Sequence, residues 1–258
     1  ITFRGKTNET KWGTISIEGN ESNLNHINFI GGFGDIINNK FYTSMLSVRN
    51  VKNVILKNIN FFQSKHEDIP NFYDDLMHII YSKNINLINL KFYDSLGDAL
   101  DVDVSSVDID NCYFENSGND SIDFMSSVAN ILNTKIYKSG DKGVSVGENS
   151  KIVIKNIFIN NAFIGLESKD GSIVEMRDSI LSDNIINLHG YNKNWRYGKF
   201  GGDFNIINTK FVSNKLKEVL VSKIKNAEGE QVHKNLNDFK TNKNVFISKN
   251  KSKINIEN

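Results

Sequence analysis

Asp98, Asp101, Asp103, Asp120 and Asp123 crowd one stretch of the chain, and two of them repeat at a fixed offset, 98 to 120 and 101 to 123. The same step of 22 residues leads from Asp120 to Lys142, and from Asp123 through Ser145 and Glu167 to His189. Carboxylates stacked ~5 Å apart repel, so such a group must be protonated, bind a cation or pair with a base such as Lys142. Hard oxygen donors suit calcium better than a transition metal, which makes Asp101, Asp103 and Asp123 candidate calcium ligands, helped by Asp98 or Asp120. A second group of interest is Tyr191, Trp195, Arg196 and Tyr197, since aromatics beside Arg in a loop suit stacking on a sugar ring and gripping a carboxylate. The plainer readings are solvated charge on a strand face for the acids, ordinary polar surface for His78 and His189, and a loop anchored by its own aromatics for the Trp195 group.

The elements that position these residues follow from a repeat. Asn or Asp stands three residues before an apolar residue at Asn58, Asn89, Asn111, Asn133, Asn156, Asp178 and Asn208, at spacings of 31, 22, 22, 23, 22 and 30. An apolar register, Met77, Leu100, Ile122, Val144, Leu166 and Leu188, keeps nearly the same period. His78, Asp101, Asp123, Ser145, Glu167 and His189 each follow one residue later, so they form an outward column if the first register points inward. Within a unit the segments alternate with period two, as in Leu100-Asp101-Val102-Asp103, and none is periodic enough for a helix. The Leu-x-x-Leu-x-Leu spacing of a leucine-rich repeat is missing. The expected fold is therefore all-β, a single-stranded parallel β-helix of about 22 residues per coil, with the Asn slot stacking amides at one bend. Residues 1–214 are assigned to the solenoid and 215–258 to a last partial coil and a C-terminal cap or tail. Longer coils around Phe62–Asn71 and Gly190–Gly202 are expected to leave as loops on opposite flanks of one sheet and to frame a groove.

Composition agrees. The 258 residues include 39 Asn and 33 Ile against 15 Leu, with 39% hydrophobic content, which is strand-and-turn chemistry with enough apolar surface for a core. A net charge of +1 offers no pull toward nucleic acid. No apolar run approaches the ~20 residues of a membrane span. Cys112 is the only cysteine, which excludes an internal disulfide and a cysteine-based zinc site. The chain begins at Ile1 without an initiator Met, which points to a processed or trimmed chain with flanking domains.

Three stretches carry a resemblance: Gly97-Asp98-Ala99-Leu100-Asp101, Gly118-Asn119-Asp120-Ser121-Ile122-Asp123, and Ser139-Gly140-Asp141-Lys142-Gly143-Val144-Ser145-Val146-Gly147-Glu148-Asn149-Ser150. With the coil pattern of nearly the whole chain, they resemble the right-handed parallel β-helix proteins of the pectate-lyase-like superfamily. Within it they resemble bacterial extracellular β-helix segments that accompany spore-coat-type kinase domains. The same stretch is similar to the polygalacturonase family, where Asp98 matches the Asp of an Asn-Thr-Asp-Gly motif and Asp120 one member of an Asp-Asp pair. That similarity implies acid/base roles in inverting hydrolysis. Asn119 replaces the other Asp, and Lys142-Gly143 stands where that family has His-Gly. Polysaccharide lyases of this fold use a Lys or Arg base beside calcium-holding acids, which implies Lys142 as base or carboxylate clamp and Asp98 and Asp120 as acid/base or metal residues; Lys169, Tyr191, Trp195 and Arg196 are the expected substrate contacts. The resemblance implies a secreted or cell-surface protein acting on an acidic polysaccharide, first as a lyase. A noncatalytic glycan-binding or structural module and a polygalacturonase-like hydrolase are the alternatives.

Overall fold

The computed structural model describes residues 1–6, 12–63, 75–198, 200–212, 246–248 and 252–257. Each coil contributes three short strands, for example Leu100–Asp103, Ser106–Asp110 and Tyr113–Ser117. Equivalent strands of successive coils pair in parallel. One sheet of nine strands runs from Ile15–Ile17 to Phe246–Ser248, and a larger sheet folds around the long strand Lys52–Phe62, which serves both of its wings. The nine-stranded sheet carries the acidic residues. Its register pairs Met77 with Leu100, Leu100 with Ile122, Ile122 with Val144, Val144 with Leu166 and Leu166 with Leu188, which is the apolar column read from the sequence. All six side chains are fully buried. Inside the solenoid they meet aromatic rings from the other faces, with Phe29, Phe61, Phe92 and Phe114 stacked in order at 5.1, 4.8 and 4.6 Å.

The bends explain the asparagines. Asn58, Asn89, Asn111, Asn133, Asn156, Asp178 and Asn208 all have φ between 45° and 56°, the left-handed region that Asn and Asp tolerate best among residues with a side chain. The amide ladder is partial: Asn89 donates to Asn58 at 2.6 Å and Asn156 to Asn133 at 2.8 Å, but Asn133 donates to Asp110 and so bypasses Asn111. Asn133 is also exposed, so the column serves backbone conformation and does not satisfy buried amides. The buried ladder lies elsewhere and is built from hydroxyls. Backbone amides of Val51, Ser82, Ser105, Ser127 and Ser150 donate to the Oγ atoms of Ser82, Ser105, Ser127, Ser150 and Ser172 on the next coil, at 2.9 to 3.2 Å.

One feature was not legible as organisation. Asp35–Ile37 and Lys40–Tyr42 form an antiparallel hairpin whose two-residue turn, Asn38-Asn39, has φ of 52° and 60°, as a twist-compatible turn requires. Phe246–Ser248 and Ile254–Glu257 pair with Ile186–Tyr191 and Asp203–Ile207, so both sheets gain one more parallel strand beyond residue 215. The first long-coil insertion falls on 64–74 and most of the expected cap on 213–245, outside the described residues.

Candidate functional site

The outward column forms as the spacing requires: Ser47, His78, Asp101, Asp123, Ser145, Glu167 and His189 are successive register partners. Burial then divides it. At one end the side chains of His78, Asp101 and Asp103 are 12, 21 and 17% exposed. At the other, Lys142, Glu167, Lys169 and His189 are 2 to 6% exposed.

At the open end, Asp101 and Asp103 stand two apart on Leu100–Asp103 and therefore share a face, with His78 on the adjacent strand. His78 Nε2 lies 3.1 Å from Asp103 Oδ2 and 3.5 Å from Asp101 Oδ2, and its Nδ1 lies 3.0 Å from Thr43 Oγ1. Burial works against the imidazolium, but the hydrogen bond to Asp103 and the two carboxylate charges outweigh it and raise the His78 pKa. Burial pushes Asp101 up to about 7, with His78 opposing and Asp103 and Asp123 adding. Asp123 does not join this trio. Its Oδ1 is shielded from solvent without a hydrogen-bond partner among the described residues, and its charge supports Lys169. The ligand atoms that lie within 4.8 Å of one another are those of His78, Asp101 and Asp103, a set that takes in two of the three expected ligands, Asp101 and Asp103, and adds His78. Two carboxylates fit a hard divalent cation such as calcium; the imidazole nitrogen does not.

At the closed end, Lys142 contacts Asp141, with Asp120 at 3.5 Å and Glu167 at 4.0 Å. Glu167 also meets Lys169 at 3.6 Å and His189 Nδ1 at 2.7 Å. Burial opposes both charges. For Lys142 the carboxylates of Asp120, Glu167 and Asp141 outweigh it and raise the pKa; for Glu167 the Lys142 charge, the His189 hydrogen bond and Lys169 bring it down to about 2. A base must be neutral and reach its proton, whereas Lys142 is a buried ammonium, so the geometry gives it the part of a fixed counter-ion. Lys169 has the same character. Its stem crosses Gly147, where any Cβ would lie 2.7 Å from Lys169 Cε, and its ammonium donates to Ser145 Oγ at 3.2 Å.

Asp98 and Asp120 brace the backbone. The amides of Asp98, Asp120 and Lys142 donate to Oδ1 of Asp75, Asp98 and Asp120 on the preceding coil at 3.2, 2.8 and 2.9 Å. Burial, with Asp120 and Asp75 adding, raises Asp98 well above the usual carboxylate range; burial raises Asp120 to about 8, with Lys142 opposing and Asp123 and Asp141 adding.

The loop after Ile186–Tyr191 is held by Asp170, whose Oδ1 accepts from the backbone amides of Lys193 and Asn194 at 2.6 and 2.7 Å. Asn194 caps the short helical turn Trp195–Tyr197. Trp195 is left 79% exposed with the Arg196 guanidinium 5.8 Å from its ring centre, while Tyr191 stacks on His189 at 4.7 Å. The exposed Trp195–Arg196 pair and the Asp101 trio lie four coils apart, roughly 19 Å at the usual strand spacing. Sequence reasoning passed over Glu148, which burial raises to about 7 with Lys169 opposing and Asp123 adding. Its place just past Gly147 follows from the 22-residue step, but the burial that perturbs it does not.

The chain belongs to the right-handed β-helix family, whose sequence model, described as a right handed beta helix region, matches residues 75–258. Its fold is that of the pectate-lyase-like β-helices. A pectate lyase from Paenibacillus sp. 0602 superposes with a TM-score of 0.59 at 10% identity over 78% of this chain, and the match spans 63% of that enzyme's length. An alginate lyase from Paenibacillus sp. str. FPU-7 gives 0.58 at 11% identity, covering 79% of this chain and 78% of that one. No curated protein sequence matches the chain. No helix among the described residues is long and apolar enough to cross a membrane.

Proposed function

We propose that this protein is a carbohydrate-active β-helix that acts on an acidic polysaccharide lying along the outward face of the nine-stranded sheet, outside the cell or at its surface, as a lyase in the first reading. The observation that carries this is the open end of the column, where His78, Asp101 and Asp103 converge, partly exposed, on a parallel sheet. A uronate can approach so acidic a surface only if positive charge faces it. A dication held by His78, Asp101 and Asp103 would supply that charge and polarise the uronate carboxylate. The protein's own groups do the rest. Glu148, with a pKa near 7, suits proton transfer at neutral pH. Lys142 and Lys169 offset the acids from beneath, Asp98 and Asp120 hold the coil edge, and Trp195 with Arg196 grips the chain four coils away. The structural likeness to a pectate lyase and an alginate lyase supports a sugar substrate at the level of fold.

The test is incubation with pectate, alginate and glycosaminoglycans. Ultraviolet absorbance from an unsaturated uronate, lost in Glu148→Gln, supports elimination; reducing ends without absorbance indicate hydrolysis. One observation favours a noncatalytic reading, namely that Lys142 is buried among the carboxylates of Asp141, Asp120 and Glu167, which favour its charged form. Glycan retention that needs Trp195 and gives neither product would establish that reading.

A further inference from the structure

The imidazole in the open-end trio is out of place in a calcium site, and we infer that His78, Asp101 and Asp103 select a transition-metal dication of the zinc class. The inference deepens the proposed function by naming the cation, and rests on it only for what the cation is used for. Calcium takes oxygen ligands almost exclusively, whereas one imidazole nitrogen with two carboxylates is a borderline donor set. Spacing agrees. Ligand atoms around a tetrahedral zinc ion with bonds of ~2.0–2.2 Å sit roughly 3.3–3.6 Å apart; His78 Nε2 lies 3.5 Å from Asp101 Oδ2 and 3.1 Å from Asp103 Oδ2, so a shift of a few tenths of an ångström at Asp103 admits the ion.

Three further features point the same way. Asp101 and Asp103 sit on one strand and His78 on its register partner, so the donors are fixed by the sheet with little loop freedom. Thr43 Oγ1, 3.0 Å from His78 Nδ1, can accept the Nδ1 proton and leave the Nε2 lone pair facing the carboxylates, the outer-shell support that metal-bound histidines use. Three protein donors with side chains 12 to 21% exposed leave a coordination position for a substrate oxygen, as in zinc sites that act on substrates.

The test uses chelator-treated full chain and the chlorides of zinc, calcium and cobalt(II), read by calorimetry and by the visible spectrum of bound cobalt. One zinc ion should bind at least ~10-fold tighter than calcium, His78→Gln should erase the cobalt band and weaken zinc by more than ~10-fold, and Thr43→Val should weaken it by ~10-fold. Asp103→Asn gives a second ligand variant should His78→Gln fold poorly, and it too should weaken zinc. Calcium binding tighter than zinc, zinc affinity unchanged in both ligand variants, or no binding of any ion would overturn the inference and leave the trio an ion pair. Glycan retention by the same samples is scored separately: retention without zinc binding removes only this inference, and zinc binding without retention or product removes only the proposed function.

Discussion

The two ends of the outward column share a sheet, a register and a supply of ionisable side chains, yet burial separates them. His78, Asp101 and Asp103 are partly exposed, with two carboxylates to one imidazole; Lys142, Glu167, Lys169 and His189 are sealed, with cations beside their acids. The difference arises from what surrounds each position, since stacked acids alone do not decide it. Where Lys142 and Lys169 stand among the acids, the cluster neutralises itself and becomes structure. Where His78 is the nearest cation, burial and the neighbouring acids push Asp101 up to about 7, and the proposed cation would take the place of that proton.

The contrast predicts unequal losses. Glu167→Gln leaves two buried ammonium groups short of a partner and should cost about 3–5 kcal/mol. Asp103→Asn removes one hydrogen bond from a largely buried trio but leaves Asp101 beside His78, and should cost less, about 1–2 kcal/mol. Denaturant midpoints of the two variants check this, and equal losses would erase the distinction. Ser127→Ala should come next, at about 1–3 kcal/mol, because it strands the buried amide of Ser105.

A pH dependence follows for the metal-free protein. Asp101 and Glu148 near 7 and Asp120 near 8 titrate above their unfolded values of 3.8, 4.5 and 3.8, so the unfolded chain releases these protons first as pH rises. Their combined contribution declines from about pH 4 to pH 8. Glu167, lowered from 4.5 to about 2, contributes above pH 4.5 and is lost only as pH falls toward 2. Thermal melts should therefore show a higher midpoint near pH 5 than near pH 8. A melting point that rises across that interval would contradict the charge assignment.

The smallest effect concerns Val104, next to Asp103, a β-branched residue at φ 46° where the corresponding bend of a later coil carries Asp170. Val104→Asn should stabilise by about 1 kcal/mol, measured by denaturant titration.

Much of this architecture was legible because a solenoid turns sequence period into spatial columns. The apolar register and the outward column from His78 to His189 needed only the 22-residue step, and the pairing of Asp101 with Asp123 followed. What a column contacts beyond itself was not legible. His78 reads as a surface residue until its diagonal reach to Asp103 is seen. Lys142 reads as a base until Asp141, Asp120 and Glu167 are seen around it. The serine ladder is hidden because Ser82, Ser105, Ser127, Ser150 and Ser172 look like loop residues, and only the backbone path shows each hydroxyl meeting the preceding coil's amide. Asp170 lies 22 residues before the loop it holds, too far for a local motif to show.

The division of one column into an acting and a holding end is tested most directly by following the carboxyl carbons of Asp101 and Glu167 by NMR through a pH titration of the metal-free protein. Asp101 should titrate near pH 7, and Glu167 should remain ionised until pH approaches 2 or the fold is lost. If both titrate together near the ordinary carboxylate value of about 4, burial and partners do not separate the two ends and the account is wrong.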